Sequence, residues 1–365
     1  MRLRSLAAVV AAGIFLYACA SPRGEAPHPR PTPAPSPAKP DAKPPPAPTE
    51  SALDILGPAA LPGWGEADHA AALSAWQAGC GLDKTGAGQR ACQAARRLGR
   101  ASDAEARRYF EENFKVEALP GKGVLTAYFS PEYEARDRPD REFDMPVLPQ
   151  PDDLRPGSPY ATRAEIEARP PNFALAWMRA EDLFFLQVQG SGTLTFPDGR
   201  RRKAVFAAHN ARPFAGIANP MRDRGLLPAN NTSGEAIRQW LADHRGPEAE
   251  AIMRLNPRYV FFTLAPDDGA EPVGAAGVPL PSGHAIAVDP RHHAYGELIW
   301  IVGEAPILAG AFPAYRRMAV ALDTGGAILG EVRADLYLGR GDAAGREAGR
   351  VRHDLTMYRL TPREP

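Results

Sequence analysis

Residues 321–350, ALDTGGAILGEVRADLYLGRGDAAGREAGR, decide the fold. Two short apolar runs flank a glycine-rich segment here: RMAVALD, ending at Asp323, and EVRADLYLG, around Asp335. Short runs of alternating or wholly apolar character, separated by Gly and Pro, predict strands rather than helices. DTGGAILG has the glycines of a phosphate loop but not its Gly-Lys-Ser/Thr ending, so the turn of a hairpin is the expected reading. Five more runs read the same way: VLTAYFS (124–130), DLFFLQVQ (182–189), RYVFFTLA (258–265), HAIAVD (284–289) and ELIWIV (297–302). So many short strands, apolar on one face and separated by Gly and Pro, predict an α+β protein, mainly β, with a closed barrel at its heart.

Helical patterning surrounds these strands. HAAALSAWQAG (69–79) has apolar residues at helical spacing, and Ser102 with Glu105 forms a capping box opening SDAEARRYFEENF. Thr162 and Glu165 repeat that box, and GEAIRQWLADH (234–244) leads through Pro247, a good first-turn residue, into EAEAIMRLNP. The chain has no internal repeat.

The 365 residues are 44% hydrophobic, enough for a sizeable core, and 43 basic residues balance 43 acidic ones. A net charge of zero removes the positive field of a nucleic-acid binder, so no nucleic acid is expected as partner. Twelve of the 39 prolines fall between Pro22 and Pro48. Residues 19–49 therefore read as a solvated, polyproline-like spacer at ~3 Å per residue. Before it, Arg2 and Arg4 precede an apolar run, Leu6 to Ala18, too short for a stable bilayer span. Residues 1–18 read as a signal peptide, and Leu16-Tyr17-Ala18-Cys19 resembles a bacterial lipobox that would acylate Cys19. Acyl chains there would tie the protein to a membrane without a transmembrane helix. Ala20, where inner-membrane lipoproteins commonly carry Asp, points to the periplasmic face of the outer membrane.

With Cys19 lipidated, Cys80 and Cys92 are the two thiols left in an oxidising compartment, which favours a disulfide over two buried reduced cysteines. No ligand spacing surrounds them, and the adjacent His292 and His293 would point opposite ways on an extended segment, so no metal is assigned. Gln189-Gly190-Ser191-Gly192 is not a nucleophile elbow, because Gln stands where that motif needs Gly; a polar loop for binding substrate is the better reading. Asp289, Asp323 and Asp335 each stand at or near the end of an apolar run. Carboxylates at such places are held rigidly and partly desolvated, as an acid or base requires, although an Asp beside Gly or Pro also serves as a turn former.

LTAYFSPEYEA, FFLQVQGSGTLTFPDGR, NPRYVFF, GVPLPSGHAIAVDP and, above all, residues 321–350 make the chain resemble the membrane-bound lytic murein transglycosylase A family with its C-terminal three-aspartate (3D) domain. The likeness runs in order from about Leu53 to the C-terminus. It implies a double-psi β-barrel built from two pieces, residues 50–129 with helices and 260–365, with a second β domain, 130–259, inserted between them and a glycan groove between the two domains. It makes Asp335 the catalytic acid/base with Asp323 beside it. Thr126, Tyr128, Gln189, Gly190, Ser191, Gly192 and Asp289 would contact the substrate. Ala127 stands where the family often has Gly, and Leu329 where it often has Lys. The implied reaction cleaves the β-1,4 bond between N-acetylmuramic acid and N-acetylglucosamine in peptidoglycan strands without water, leaving 1,6-anhydro ends and using no cofactor. A muramidase-type hydrolase and a non-catalytic peptidoglycan-binding lipoprotein are the rival readings.

Overall fold

A computed structural model describes residues 49–50, 53, 55, 57–169, 173–228, 231–306 and 312–364. The expected signal peptide, Cys19 and the linker up to residue 48 lie outside the described residues. No described helix is long and apolar enough to cross a membrane.

The strands are β1 (Phe114–Ala118), β2 (Gly123–Ser130), β3 (Glu132–Glu134), β4 (Met145–Val147), β5 (Ala176–Met178), β6 (Gly192–Thr195), β7 (Arg201–His209), β8 (Val260–Pro266), β9 (Ala285–Ala287), β10 (Leu298–Pro306), β11 (Tyr315–Asp323), β12 (Arg333–Arg340) and β13 (Arg352–Pro362). Seven of them form a sheet in the order β1-β13-β10-β11-β9-β12-β2, and the pairing of β13 with β2 closes the last six into a barrel. Two pairs, β11–β9 and β12–β2, are parallel, and the rest are antiparallel. Strands β3, β6, β7 and β8 form a separate sheet in the segment between the two barrel pieces.

Strand alternation sorts the barrel's side chains. Leu125, Ile286, Ile299, Ile301, Ala319, Ala321, Ala334, Leu336 and Met357 form one buried cluster. Their neighbours along the strands, including Trp300, Val320, Leu322 and Tyr358, pack with Trp64, Trp76 and Phe110 of the N-terminal helical segment in another. The barrel is thus filled by one set of alternating residues and clad by helices over the other. Fully burying a side chain such as Phe110 or Phe114 stabilises by about 1.5–3 kcal/mol. Cys80 and Cys92 are bridged, with Cα atoms 5.3 Å apart, tying the end of the His69–Gly79 helix to the Gly86–Leu98 helix. Both capping boxes are present, at Ser102/Glu105 and at Thr162/Glu165.

Three sequence expectations are corrected. DLFFLQVQ is not a strand but most of the Ala180–Gln189 helix. Its buried residues, Leu183, Phe184, Leu186 and Gln187, follow helical rather than alternating spacing; Glu181 and Asp182 suit the first turn, and Gly190, at φ 82°, ends the helix in a left-handed conformation. β8, expected in the barrel, pairs with β7 in the second sheet, so that sheet extends past the expected boundary at residue 260. The DTGGAILG segment is not a hairpin turn, because β9 lies between β11 and β12 and pairs with both.

Candidate active site

The barrel's register lines up the site. Thr126 on β2 is opposite Asp335 on β12, Asp335 is opposite Ala287 on β9, and Ala287 is opposite Asp323 on β11. One row across four adjacent strands therefore carries both aspartates, with the small Ala287 between them. Two residues along, Tyr337 faces Tyr128 across the same pair of strands, their rings 5.2 Å apart. Ala334 and Leu336 point into the barrel, so Asp335 and Tyr337 point out of it.

Hydrogen bonds give the two carboxyls different surroundings. Asp323 accepts the Tyr128 hydroxyl on Oδ2 at 2.7 Å and the Ala275 amide on Oδ1 at 2.9 Å. Asp335 accepts only the Thr126 hydroxyl, on Oδ1; its Oδ2 has no partner among the described residues and remains reachable from outside. Thr126 Oγ1 in turn accepts from Arg333 Nη2 at 2.9 Å, and the same guanidinium donates to the Val124 and Ala334 carbonyls at 3.1 and 2.6 Å. Tyr337 donates to Glu271 at 2.6 Å.

Desolvation pushes the Asp335 carboxyl above its ordinary range; the Thr126 hydrogen bond and the Arg333 charge oppose this, while Asp323 adds to it. Asp323 is also raised by burial, against the donors at Ala275 and Tyr128. Burial, then the charge of Asp323, raises the Tyr128 hydroxyl well above its usual value, which keeps it a donor. The row thus holds two carboxyls that desolvation pushes up, one with an oxygen left open and the other with both oxygens engaged.

The other expected site residues lie elsewhere. Asp289 is held by Arg291 and by the Gly330 amide and has no hydrogen bond to the pair. Gln189 accepts the Phe129 amide at 3.3 Å, Gly190 is a helix cap, and Gly192 begins β6. At Gly192 a Cβ would stand 2.6 Å from Leu186 Cδ1 and 2.9 Å from the Pro131 carbonyl, so close packing requires Gly there. The Gln189–Gly192 segment is therefore a helix-to-strand junction. Gln189 lines a cleft of about 1030 Å³ with Ala127, Phe129 and Arg238; neither aspartate lines it. Ala127 and Phe129 alternate with Thr126 and Tyr128, so that cleft lies off the other face of β2. His293 is buried between Glu297 and the Glu331 carbonyl, at 3.0 and 2.7 Å, and pins a turn.

Sequence reasoning missed Arg333, Tyr337 and Glu271. Arg333 and Tyr337 lie two residues before and after Asp335, on the same strand face, so the period-2 rule points to them; Glu271 meets Tyr337 only through the fold.

An MltA-specific insert domain model matches residues 124–263, and a 3D domain model matches residues 284–361. Membrane-bound lytic murein transglycosylase A of Vibrio cholerae is 32% identical over 251 residues, which span 66% of each chain, just under two thirds of that protein. The crystal structure of a membrane-bound lytic murein transglycosylase from Agrobacterium tumefaciens superposes with a TM-score of 0.67 at 32% identity, covering 82% of this chain and 95% of that one. Escherichia coli MltA with bound chitohexaose gives a TM-score of 0.61 at 28% identity over 76% of this chain and 82% of that one. The chain belongs to the membrane-bound lytic murein transglycosylase A family.

Proposed function

We propose that the protein is a lytic transglycosylase that cleaves the β-1,4 bond between N-acetylmuramic acid and N-acetylglucosamine in peptidoglycan, forming 1,6-anhydro-N-acetylmuramic ends, with Asp335 as its single general acid/base. The observation that carries this reading is the inequality of the two carboxyls. Ordinary glycosidases need two working carboxyl groups. Desolvation pushes both carboxyls up, but Asp323 has both oxygens engaged by Tyr128 and Ala275, whereas Asp335 has one oxygen open. A reaction that needs one carboxyl suits this pair.

In that reaction Asp335 gives its proton to the departing glycosidic oxygen. The 6-hydroxyl of the same muramic acid residue attacks C1 and closes the anhydro ring, and the Asp335 carboxylate takes up the hydroxyl proton, which restores the acid. An internal nucleophile acts at high effective concentration, so no water has to be held for attack. The glycan as substrate is supported by the chitohexaose bound to the E. coli relative. A lipid anchor at Cys19, on the periplasmic face of the outer membrane, belongs to the same reading and fits the membrane-bound relatives.

Digestion of purified sacculi followed by mass spectrometry of the released muropeptides tests the proposal. Anhydro ends are the expected product. Reducing N-acetylmuramic ends would instead make the protein a muramidase, and undigested sacculi a binding lipoprotein.

A further inference from the structure

Arg333 carries a guanidinium into the active row without touching either aspartate by hydrogen bond. A guanidinium has no acceptor, so the 2.9 Å contact between its Nη2 and Thr126 Oγ1 can only run from Arg333 to Thr126. The Thr126 hydroxyl has one hydrogen of its own, and among the described residues Asp335 Oδ1 is the one acceptor within its reach. Were Asp335 to carry its proton on Oδ1 and donate it to Thr126, the threonine hydrogen would have no acceptor and would face the positive guanidinium. We infer that Arg333 is a positioning residue that orients the Thr126 hydroxyl toward Asp335 Oδ1 and so assigns the acid's proton to Oδ2, the oxygen left open to substrate.

The inference rests on the transglycosylase reading and refines it to one atom. Through the reaction the Thr126 hydrogen stays on its oxygen. The proton on Oδ2 goes to the glycosidic oxygen, the proton of the attacking 6-hydroxyl returns to Oδ2, and the count balances. Other groups act on Asp335 from the surrounding strands. Asp323 on β11 raises it, Tyr128 on β2 donates to Asp323 and is itself raised by both carboxyls, and Arg352 on β13, opposite Thr126, bears on Arg333. The Arg333 side chain is fastened at three points, to Thr126, Val124 and Ala334, so its direction is set by the β2–β12 pair rather than by solvent.

Steady-state release of anhydro-muropeptides across a pH series tests this with Thr126→Val, Thr126→Ser, Arg333→Met and Arg333→Lys. Thr126→Val keeps shape and leaves Arg333 in place; kcat is expected to fall about 10- to 100-fold with KM changed by no more than about twofold. Its alkaline limb should move upward, because a hydrogen bond that favoured the Asp335 carboxylate is gone. Thr126→Ser should recover most of the lost rate. Arg333→Met should show the same kcat loss and upward limb shift, and Arg333→Lys a smaller loss. An effect confined to KM, or unmoved kcat and pH limb in Thr126→Val, overturns the inference even if Arg333→Met fails to fold. A wild-type digest without anhydro ends breaks the transglycosylase reading instead.

Discussion

The turn after β9 and the outward row of β11 and β12 each carry aspartate at a strand end, but they treat its charge in opposite ways. Asp289, in the turn, is buried, whereas the Arg291 side chain that pairs with it is exposed. It accepts from Arg291 at its amide and guanidinium, at 2.6–3.2 Å, and from the Gly330 amide at 2.7 Å. These donors, Arg291 first, hold its carboxyl far below the usual range. It is a strut that ties the segment between β11 and β12 back to the turn. Gly330, at φ 108°, supplies a backbone conformation that favours glycine. Asp335 and Asp323 receive fewer donors, and desolvation pushes both up. The number of donors around a carboxyl, rather than its place at a strand end, separates the one held down from the two pushed up.

Asp335→Asn tests the proposed acid and should have the largest effect. It keeps size and removes the titrating proton, so anhydro-muropeptide release should fall at least ~100-fold. Its stability should not suffer. A carboxyl whose folded pKa is raised costs stability as pH rises through that value, and the amide removes this cost. Thermal unfolding at neutral pH should therefore find Asp335→Asn as stable as wild type or more so. A large loss of Tm alongside the loss of activity would erase the contrast with Asp289.

Asp289→Ala tests the other side. It leaves the Gly330 amide without its acceptor, which should lower stability by about 1–3 kcal/mol in denaturant titration. At temperatures where the variant stays folded, product release should remain within a few-fold of wild type. The sign with pH is opposite to that of Asp335. A depressed folded pKa gives stability that is complete above the unfolded value, about 3.9, and is lost as pH falls below it, so the wild-type advantage over Asp289→Ala should shrink in acid. Full inactivation of folded Asp289→Ala would place Asp289 among the reactive groups.

Asp323→Asn sharpens the comparison within the row; its rate loss should be roughly threefold to tenfold, well below that of Asp335→Asn. Because Asp323 helps raise Asp335, its neutralisation should lower the Asp335 pKa and move the alkaline limb of the pH–rate profile toward acid. Equal inactivation by Asp323→Asn and Asp335→Asn would mean two working carboxyls and favour a hydrolase.

Local patterns were readable along the chain. The Ser102 and Thr162 capping boxes, the His69–Gly79 helix and the strands around Asp323 and Asp335 follow from contacts within a few residues, where propensity and capping act directly. DLFFLQVQ was misread because its apolar residues fit a buried strand or a buried helix by composition, and the decisive cue was the left-handed Gly190 at its end. β1 and β8 were harder still: membership in a sheet depends on partners far along the chain, β13 for one and β7 for the other.

For the site the division is similar. The sequence by itself determined the residue types, carboxyls at strand ends with an arginine two positions before one of them, because a strand's period places alternate side chains on one face. Where each stands and what it touches came from the tertiary structure alone. Register across β2, β12, β9 and β11 brought Thr126, Asp335 and Asp323 into one row and left Gln189 off the other face of β2. It also gave Asp289 its ring of donors and left Asp335 Oδ2 open. Burial and hydrogen-bond count are sums over neighbours distant in sequence, and those sums set which carboxyls are pushed up and which is held down.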